Sequence, residues 1–353
     1  MVMGKDANFF SDKRVLVTGA AGFIGSRLAE KLIENGAQVR AFTRYTSRPE
    51  FGNLVFLPPE IFHQIEIVRG NLEDRAAIES VMEGIDLVFH LGALISIPYS
   101  YVHPVETAKT NLLGTLNVLE ACRHRNVKLI HTSTSEVYGT ALCVPIDEEH
   151  PLQAQSPYSA SKIGADKLVE SYYRSFDVQS VTVRPFNTYG PGQSNRAVIP
   201  KRDWSSDVCS SDLRAVIPTI ITQALTSDQI HLGNLKSRRD FTYLDDTVDG
   251  FLKAASNGRW DGQVYNLGTG YEVTIGEIAQ KIFDYLKIQS EIVIDQERIR
   301  PEKSEVLRLV SDNTKAKREL DWVPQISLDE GLVTTIEWIK EHLDHYKPDV
   351  YGR

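Results

Sequence analysis

The sequence predicts an α/β protein: a doubly wound parallel sheet with a smaller C-terminal α/β lobe. Three observations carry the prediction. Short apolar, β-branched runs alternate with amphipathic helical stretches across residues 14–184. The runs are continuously apolar, as strands covered on both faces are. The first of them leads straight into a glycine-rich turn that opens a helix.

Taken in order, Arg14–Thr18 (RVLVT) is the first strand, and Ile24, Leu28, Leu32 and Ile33 mark one face of the helix after it. Strands are expected at Gln38–Phe42, Ile65–Val68, Leu87–Phe89, Lys128–Thr132 and Ser180–Arg184. Helices are expected at Arg75–Met82, Thr107–Arg123 and Tyr158–Phe176. Past about residue 185, Gly, Pro and Arg clusters interrupt the alternation. Residues 1–185 are therefore assigned to the first domain and 186–353 mainly to a substrate lobe. Stretches within 219–270 are expected to return to the first domain, with Val264–Leu267 as a further strand of its sheet.

One segment fits neither lobe. RAVIP occurs at Arg196–Pro200 and again at Arg214–Pro218, 18 residues later. The polar stretch between the copies has neither helix nor strand period, and Trp204–Leu213 resembles the in-frame translation of a short-read sequencing adapter. Residues 201–218 are read as an artefactual insertion, whose removal joins RAVIP to a helix at about Thr219–Leu225.

The 353 residues are 42% hydrophobic and 24% charged, with a net charge of −8 and a pI near 5.7. That balance disfavours nucleic-acid binding. Cys122, Cys143 and Cys209 form no metal-binding or disulfide pattern, which predicts no metal and suits a reducing cytoplasm. The polar N-terminus predicts no secretory leader, and no apolar run is long enough to predict a membrane span.

The turn reads TGAAGFIG, with Gly19, Gly22 and Gly25 between a strand and a helix. This is the context of a dinucleotide site on a Rossmann sheet: glycines admit the pyrophosphate, and the first N–H groups of the helix, at Phe23 and Ile24, face it. The second strand is followed by TRYTSR, which offers Arg44 and Arg48 and no acid, so the pattern favours NADP while leaving NAD open. Tyr158 and Lys162 lie four apart on a predicted helix and share a face. A neighbouring ammonium favours the phenolate, making Tyr158 a general base.

TGAAGFIG, HLGA (His90–Ala93), TSTSEVYG (Thr132–Gly139), YSASK (Tyr158–Lys162) and RPFNTYGPG (Arg184–Gly192) together resemble the extended short-chain dehydrogenase/reductase family. The resemblance covers nearly the whole chain apart from the insertion. It implies a tightly held NADP or NAD that is regenerated each cycle, and a nucleotide-sugar substrate. The catalytic residues would be Thr134, Tyr158 and Lys162, with Leu91 and Ala93 beside the nicotinamide and Asn111 helping to position Lys162. Asn71 and Leu72 would meet the adenine end; the family commonly has Asp at position 71. Ser135 and Glu136 match the family's 4,6-dehydratases. There Tyr158 would take the O4 proton, Glu136 the C5 proton, and Ser135 or Glu136 would help water leave C6. A nucleotide-sugar decarboxylase and a 4-epimerase are the runners-up. A non-catalytic NAD(P)-binding sensor is the alternative of another class, opposed by the intact catalytic set.

The resemblance also places Asn187, Arg239 and Arg300 at the substrate diphosphate and Glu302 at the nucleotide ribose. Gly192 stands where many members have Arg. The stretch RPEKSEVLRLVSDNTKAKRELDWVP is similar to 4,6-dehydratases acting on GDP- or UDP-linked N-acetylglucosamine in legionaminic-acid-type pathways. A homodimer through a four-helix bundle of helices 107–125 and 158–176 is also implied, with Leu112, Leu116 and Leu119 serving either the interface or the monomer core.

Overall fold

The computed structural model describes residues 9–45, 51–194, 215–299 and 301–346. Its strands are β1 (Arg14–Thr18), β2 (Gln38–Arg44), β3 (Glu66–Gly70), β4 (Leu87–His90), β5 (Lys128–Thr132), β6 (Ser180–Pro185), β7 (Asn187–Tyr189), β8 (Gln229–Leu232), β9 (Arg238–Tyr243), β10 (Gln263–Leu267), β11 (Glu272–Thr274), β12 (Glu291–Ile294) and β13 (Arg308–Leu309). Seven form one parallel sheet in the order β3-β2-β1-β4-β5-β6-β10. The strand expected at Val264–Leu267 is the edge strand β10, paired with β6. β2 runs two residues further than its apolar run suggested, because Arg44 still pairs with Gly70 of β3.

Successive β1 residues point to opposite faces, and each face has its own cover. Val15 and Val17 pack with Leu28 and Leu32 of α1 (Phe23–Glu34) and with Val248 and Phe251 of a helix later in the chain. Leu16 packs on the other side with Ile78 of α2 (Arg75–Val81), with Val118 and Leu119 of α3 (Gly114–Arg125) and with Val169 of α4 (Pro157–Phe176). Burial on both faces explains why these strands read as continuous apolar runs. Trp322, fully buried, joins the first of these cores, so the return to the Rossmann half extends beyond residue 270.

The expected helix Thr107–Arg123 is longer and interrupted. Pro104–Ala108 passes through a π turn, Lys109–Leu113, into α3. Such a turn marks a local need that overrides regular hydrogen bonding; here it carries the buried Asn111. Leu119 is fully buried in the monomer core, Leu112 and Leu116 are half-buried, and Leu113 is exposed.

The second lobe gathers β7, β11 and β13 around β9, and pairs β8 with β12. A separate core holds it: Ile220 and Ile221 of α5 (Val216–Thr226), Ile278 and Ile282 of a helix over Ile275–Leu286, and Ile336 and Ile339 of a helix over Leu328–Glu341. α6 (Leu244–Ser256) is the helix that supplies Val248 and Phe251 to the first lobe. Most of the expected insertion, 201–214, lies outside the described residues. Ile217 and Pro218 are buried in the first turn of α5. Removing 196–213 leaves the same chain as removing 201–218, so the second RAVIP copy is the one packed into the fold.

Chain order reverses between β1 and β4, where the crossovers leave to opposite faces. The crevice beyond the C-terminal ends of these strands is the ligand position of such sheets.

Candidate active site

The glycine-rich turn is built for close approach. Gly19 has φ +72°, and a Cβ there would meet Gly92 N at 2.8 Å. A Cβ on Gly25 would lie 2.3 Å from Gly19 O, so only glycine lets α1 seat against the turn. Gly22 caps α1 without a side-chain hydrogen bond, and no acid occupies its first turn. The helix therefore presents uncapped first-turn amides, including those of Phe23 and Ile24, to an anion. Across the turn, Thr18 Oγ1 accepts from Gly92 N at 3.1 Å and lies 2.8 Å from His90 Nδ1, which ties the ends of β1 and β4 together. His90 is buried, whereas Leu91 and Ala93 are half-buried on the loop after it. These features suit a dinucleotide pyrophosphate. Just past β3, Asn71 is exposed, and its Oδ1 accepts from Glu73 N at 3.2 Å. Leu72, half-buried, places its Cδ1 2.9 Å from the Cβ position of Gly92.

The residues expected to be catalytic stand at the ends of β5 and α4. Ser156 and Ser159 form a capping box, with Pro157 in the first turn, so α4 starts one residue before Tyr158. Lys162, one turn on, donates from Nζ to Thr132 O at 2.7 Å. Both side chains are buried. Desolvation lowers the Lys162 ammonium to about 8, against the pull of Asp166. Burial raises the Tyr158 phenol; a hydrogen bond from Thr134 opposes the rise, while the charges of Glu136 and Asp166 add to it. Asn111 accepts from Leu94 N at 2.8 Å and donates to Ser161 Oγ at 2.8 Å, so it reaches the residue beside Lys162.

Below this cluster lies a buried charged group that sequence reading did not single out. Asp166 accepts from Ser133 Oγ at 2.8 Å and from Arg184 Nη2 at 2.9 Å, and its other oxygen lies 3.3 Å from His131 Nε2. Arg184 also donates to Tyr138 Oη at 2.9 Å. Desolvation alone would raise the Asp166 carboxyl; His131 and Arg184 outweigh it and hold the group at about 2. Asp166 continues the four-residue spacing of Tyr158 and Lys162, a signal present in the sequence.

Thr134 caps the short 3-10 turn Ser135–Tyr138 and accepts from Glu136 N at 3.2 Å. The turn buries Ser135 and brings Glu136 to a cleft against the second lobe. Asn187, Arg239, Ser237, Arg298 and Glu305 line the same cleft. Asn187 donates to Asp240 O at 3.2 Å, and Arg239 is buried with a bond to Arg238 O at 2.9 Å. Glu136 is thus common to the cleft and to the surroundings of Tyr158.

Arg300 lies outside the described residues, and Glu302 begins a short 3-10 turn, Glu302–Ser304. Arg298, two positions from Arg300, was missed; it lines the cleft and pairs with Asp295 at 2.9 Å. Nothing in the local pattern QERIRPE singles out Arg298, whose place in the cleft depends on how the 295–299 turn folds.

The family model described as GDP-mannose 4,6 dehydratase matches residues 16–335. UDP-glucose 4-epimerase of Mycolicibacterium smegmatis is 32% identical over 333 residues, spanning 93% of this chain and 98% of the relative. dTDP-glucose 4,6-dehydratase of Streptomyces niveus is 29% identical over 344 residues, spanning 95% of each. Among solved structures, dTDP-glucose 4,6-dehydratase from Streptomyces venezuelae with NAD bound superposes with a TM-score of 0.79 at 28% identity, covering 95% of this chain and 99% of that one. The chain belongs to the GDP-mannose 4,6-dehydratase family, within the NAD-dependent nucleotide-sugar dehydratases and epimerases of the extended short-chain dehydrogenase/reductase type.

Proposed function

We propose that this family member is a nucleotide-sugar 4,6-dehydratase acting on GDP- or UDP-linked N-acetylglucosamine. The observation that carries the reading is Glu136: it lines the cleft, and its charge bears on Tyr158. An acid at that place suits removal of the C5 proton, a step that epimerisation at C4 does not need. The N-acetylglucosamine nucleotide is supported by the resemblance of the C-terminal stretch.

In this reading Gly19, Gly22 and Gly25 and the first turn of α1 hold the dinucleotide, with Arg44, Asn71 and Leu72 at its adenosine end. A nicotinamide bound there supplies a hydride acceptor for C4, a hydride donor for C6 and, when oxidised, a positive charge that favours the Tyr158 phenolate. Thr134 bonds the C4 hydroxyl and Tyr158 takes its proton, with Lys162 one helical turn further along. The ketone so formed acidifies the C5 proton. Glu136 removes that proton and passes one to the departing C6 hydroxyl, which leaves as water. Hydride added at C6 and a proton added at C5, equivalent to the one Tyr158 took from O4, would complete a 4-keto-6-deoxy sugar with no net oxidation. Asn187, Arg239 and Arg300 bind the diphosphate, where the planar guanidinium fork suits phosphate oxygens. The interrupted helix 104–125 and α4 pair across a two-fold axis in a homodimer.

Incubation with GDP- and UDP-N-acetylglucosamine tests the reading. The product should have lost one water and gained a 4-keto group, with no net cofactor consumed. Glu136→Gln should keep cofactor binding and lose elimination. A C4 epimer of unchanged mass would favour the second reading, which the 32%-identical epimerase relative supports.

A further inference from the structure

We infer that the buried ion pair Asp166–Arg184 positions the turn that carries Thr134 and Glu136, gripping it at both ends and fixing it against the helix that carries Tyr158 and Lys162. This role rests on the catalytic reading of those residues. It serves oxidation at C4 whether the sugar is then dehydrated or epimerised.

The turn needs holding from outside. Ser135–Tyr138 is a single 3-10 turn. Its own backbone bonds are long, 3.4 Å from Val137 N to Thr134 O and 3.3 Å from Gly139 N to Glu136 O. Hydrogen-bond geometry is poorer in 3-10 turns than in α-helices, so local bonds alone hold these residues loosely. The chemistry tolerates little looseness, because a misplacement of about 1 Å can cost about 10²-fold in rate.

Two anchors flank the turn. Before it, Ser133 Oγ donates to Asp166 Oδ2 at 2.8 Å. At its end, Tyr138 Oη accepts from Arg184 Nη1 at 2.9 Å. Arg184 joins the two anchors, since its Nη2 donates to the same Asp166 oxygen at 2.9 Å. Its guanidinium carbon also lies 5.0 Å from the centroid of the Tyr138 ring. Thr134 and Glu136 stand between the anchors in the chain. The helix side is tied to the same strand end. Asp166 lies one turn beyond Lys162 on α4, and Lys162 donates to Thr132 O. α4 is thus bonded to both residues that immediately precede Thr134.

Ser133, Tyr138, Asp166 and Arg184 are all buried. Burial pushes the Tyr138 phenol up to about 12, so it keeps its proton. It can therefore donate to Asn266 Oδ1, at 2.7 Å, while accepting from Arg184. Asn266 pairs with Arg184 across β10 and β6 and donates to Ile146 O at 3.1 Å. Apolar side chains of the same volume could stabilise such an interior as well as an ion pair does. They would not fix direction, whereas bonds at each end of a buried pair set one register of turn on helix. None of the four side chains lines the cleft, so their effect on the chemistry passes through the turn.

Ser133→Ala and Tyr138→Phe each cut one anchor and leave both charges in place. In the full-length protein, hydrogen–deuterium exchange over residues 133–139 should quicken by about fivefold or more in each variant, with α4 unchanged. The thermal midpoint should fall by no more than about 5 °C. With GDP- or UDP-N-acetylglucosamine, kcat for the 4-keto product should fall by about tenfold, while KM and the Kd for NAD stay within about twofold. Exchange in that segment, or kcat, within about twofold of wild type overturns the proposal. So does a general loss of protection with a collapse of the thermal midpoint, which marks a pair that only holds the fold. A wild type that makes a C4 epimer instead counts against the dehydratase reading alone, and the same loss of kcat, read on the epimer, supports the positioning role. A wild type that turns over neither sugar overturns the catalytic reading and this role together.

Discussion

Replacing Asp166 with Asn probes the charged group beneath Tyr158 and Lys162. The substitution keeps the size of the side chain and an acceptor for Ser133, but removes the negative charge facing Arg184, His131 and Lys162. A carboxyl held near 2 rather than 3.8 stabilises the fold by a contribution on the order of 2 kcal/mol. Removing one partner of a buried pair typically costs about 3–5 kcal/mol, so the two routes agree in scale. The sign in pH follows from the depressed value. The stabilisation is fully present above pH 4 and fades as the pH falls toward 2 in the wild type. Urea unfolding at pH 7 and at stepwise lower pH, each with and without the substitution, measures the difference. A loss of about 2–5 kcal/mol at pH 7 that shrinks on acidification is expected. A variant within about 1 kcal/mol of wild type at pH 7 would refute the claim that Arg184 and His131 outweigh the cost of burying this carboxylate.

Tyr158→Phe should lower turnover by about 10²–10⁴-fold while the fold and cofactor binding persist, since it removes a proton acceptor and little packing; steady-state rates and cofactor titration check both parts. Gly25→Ala should abolish cofactor binding or soluble expression, because its Cβ would lie 2.3 Å from Gly19 O, and a normal Kd would contradict the backbone geometry. Deleting residues 196–213 should leave the thermal midpoint equal to or higher than that of the full chain, because Ile217 and Pro218 stay in place against the second core. A fall of several degrees would show that the segment contributes to the fold.

Much of the first lobe was legible because its signals are local. Strands buried on both faces must be apolar throughout, so Arg14–Thr18 and Lys128–Thr132 could be bounded to the residue. The turn at Gly19, Gly22 and Gly25 and the spacing of Tyr158 and Lys162 are likewise properties of short segments. The π turn at Lys109–Leu113 was not legible, because helical periodicity continues through it, and the partners of its Asn111, Leu94 and Ser161, come from elsewhere in the chain.

Sequence alone determined the sheet class, the glycine-rich turn and the shared helical face of Tyr158 and Lys162, since each depends on residue types at short fixed spacing. Tertiary structure decided which residues share a site when they are distant in the chain. It put Glu136 in the cleft with Arg239 and Arg298, buried Ser135 and joined Asp166 to Arg184. The physical reason is that electrostatics and hydrogen bonding act over a few ångströms of space, whatever the separation along the chain. Only the packing of helices and loops on the sheet determines which charges meet.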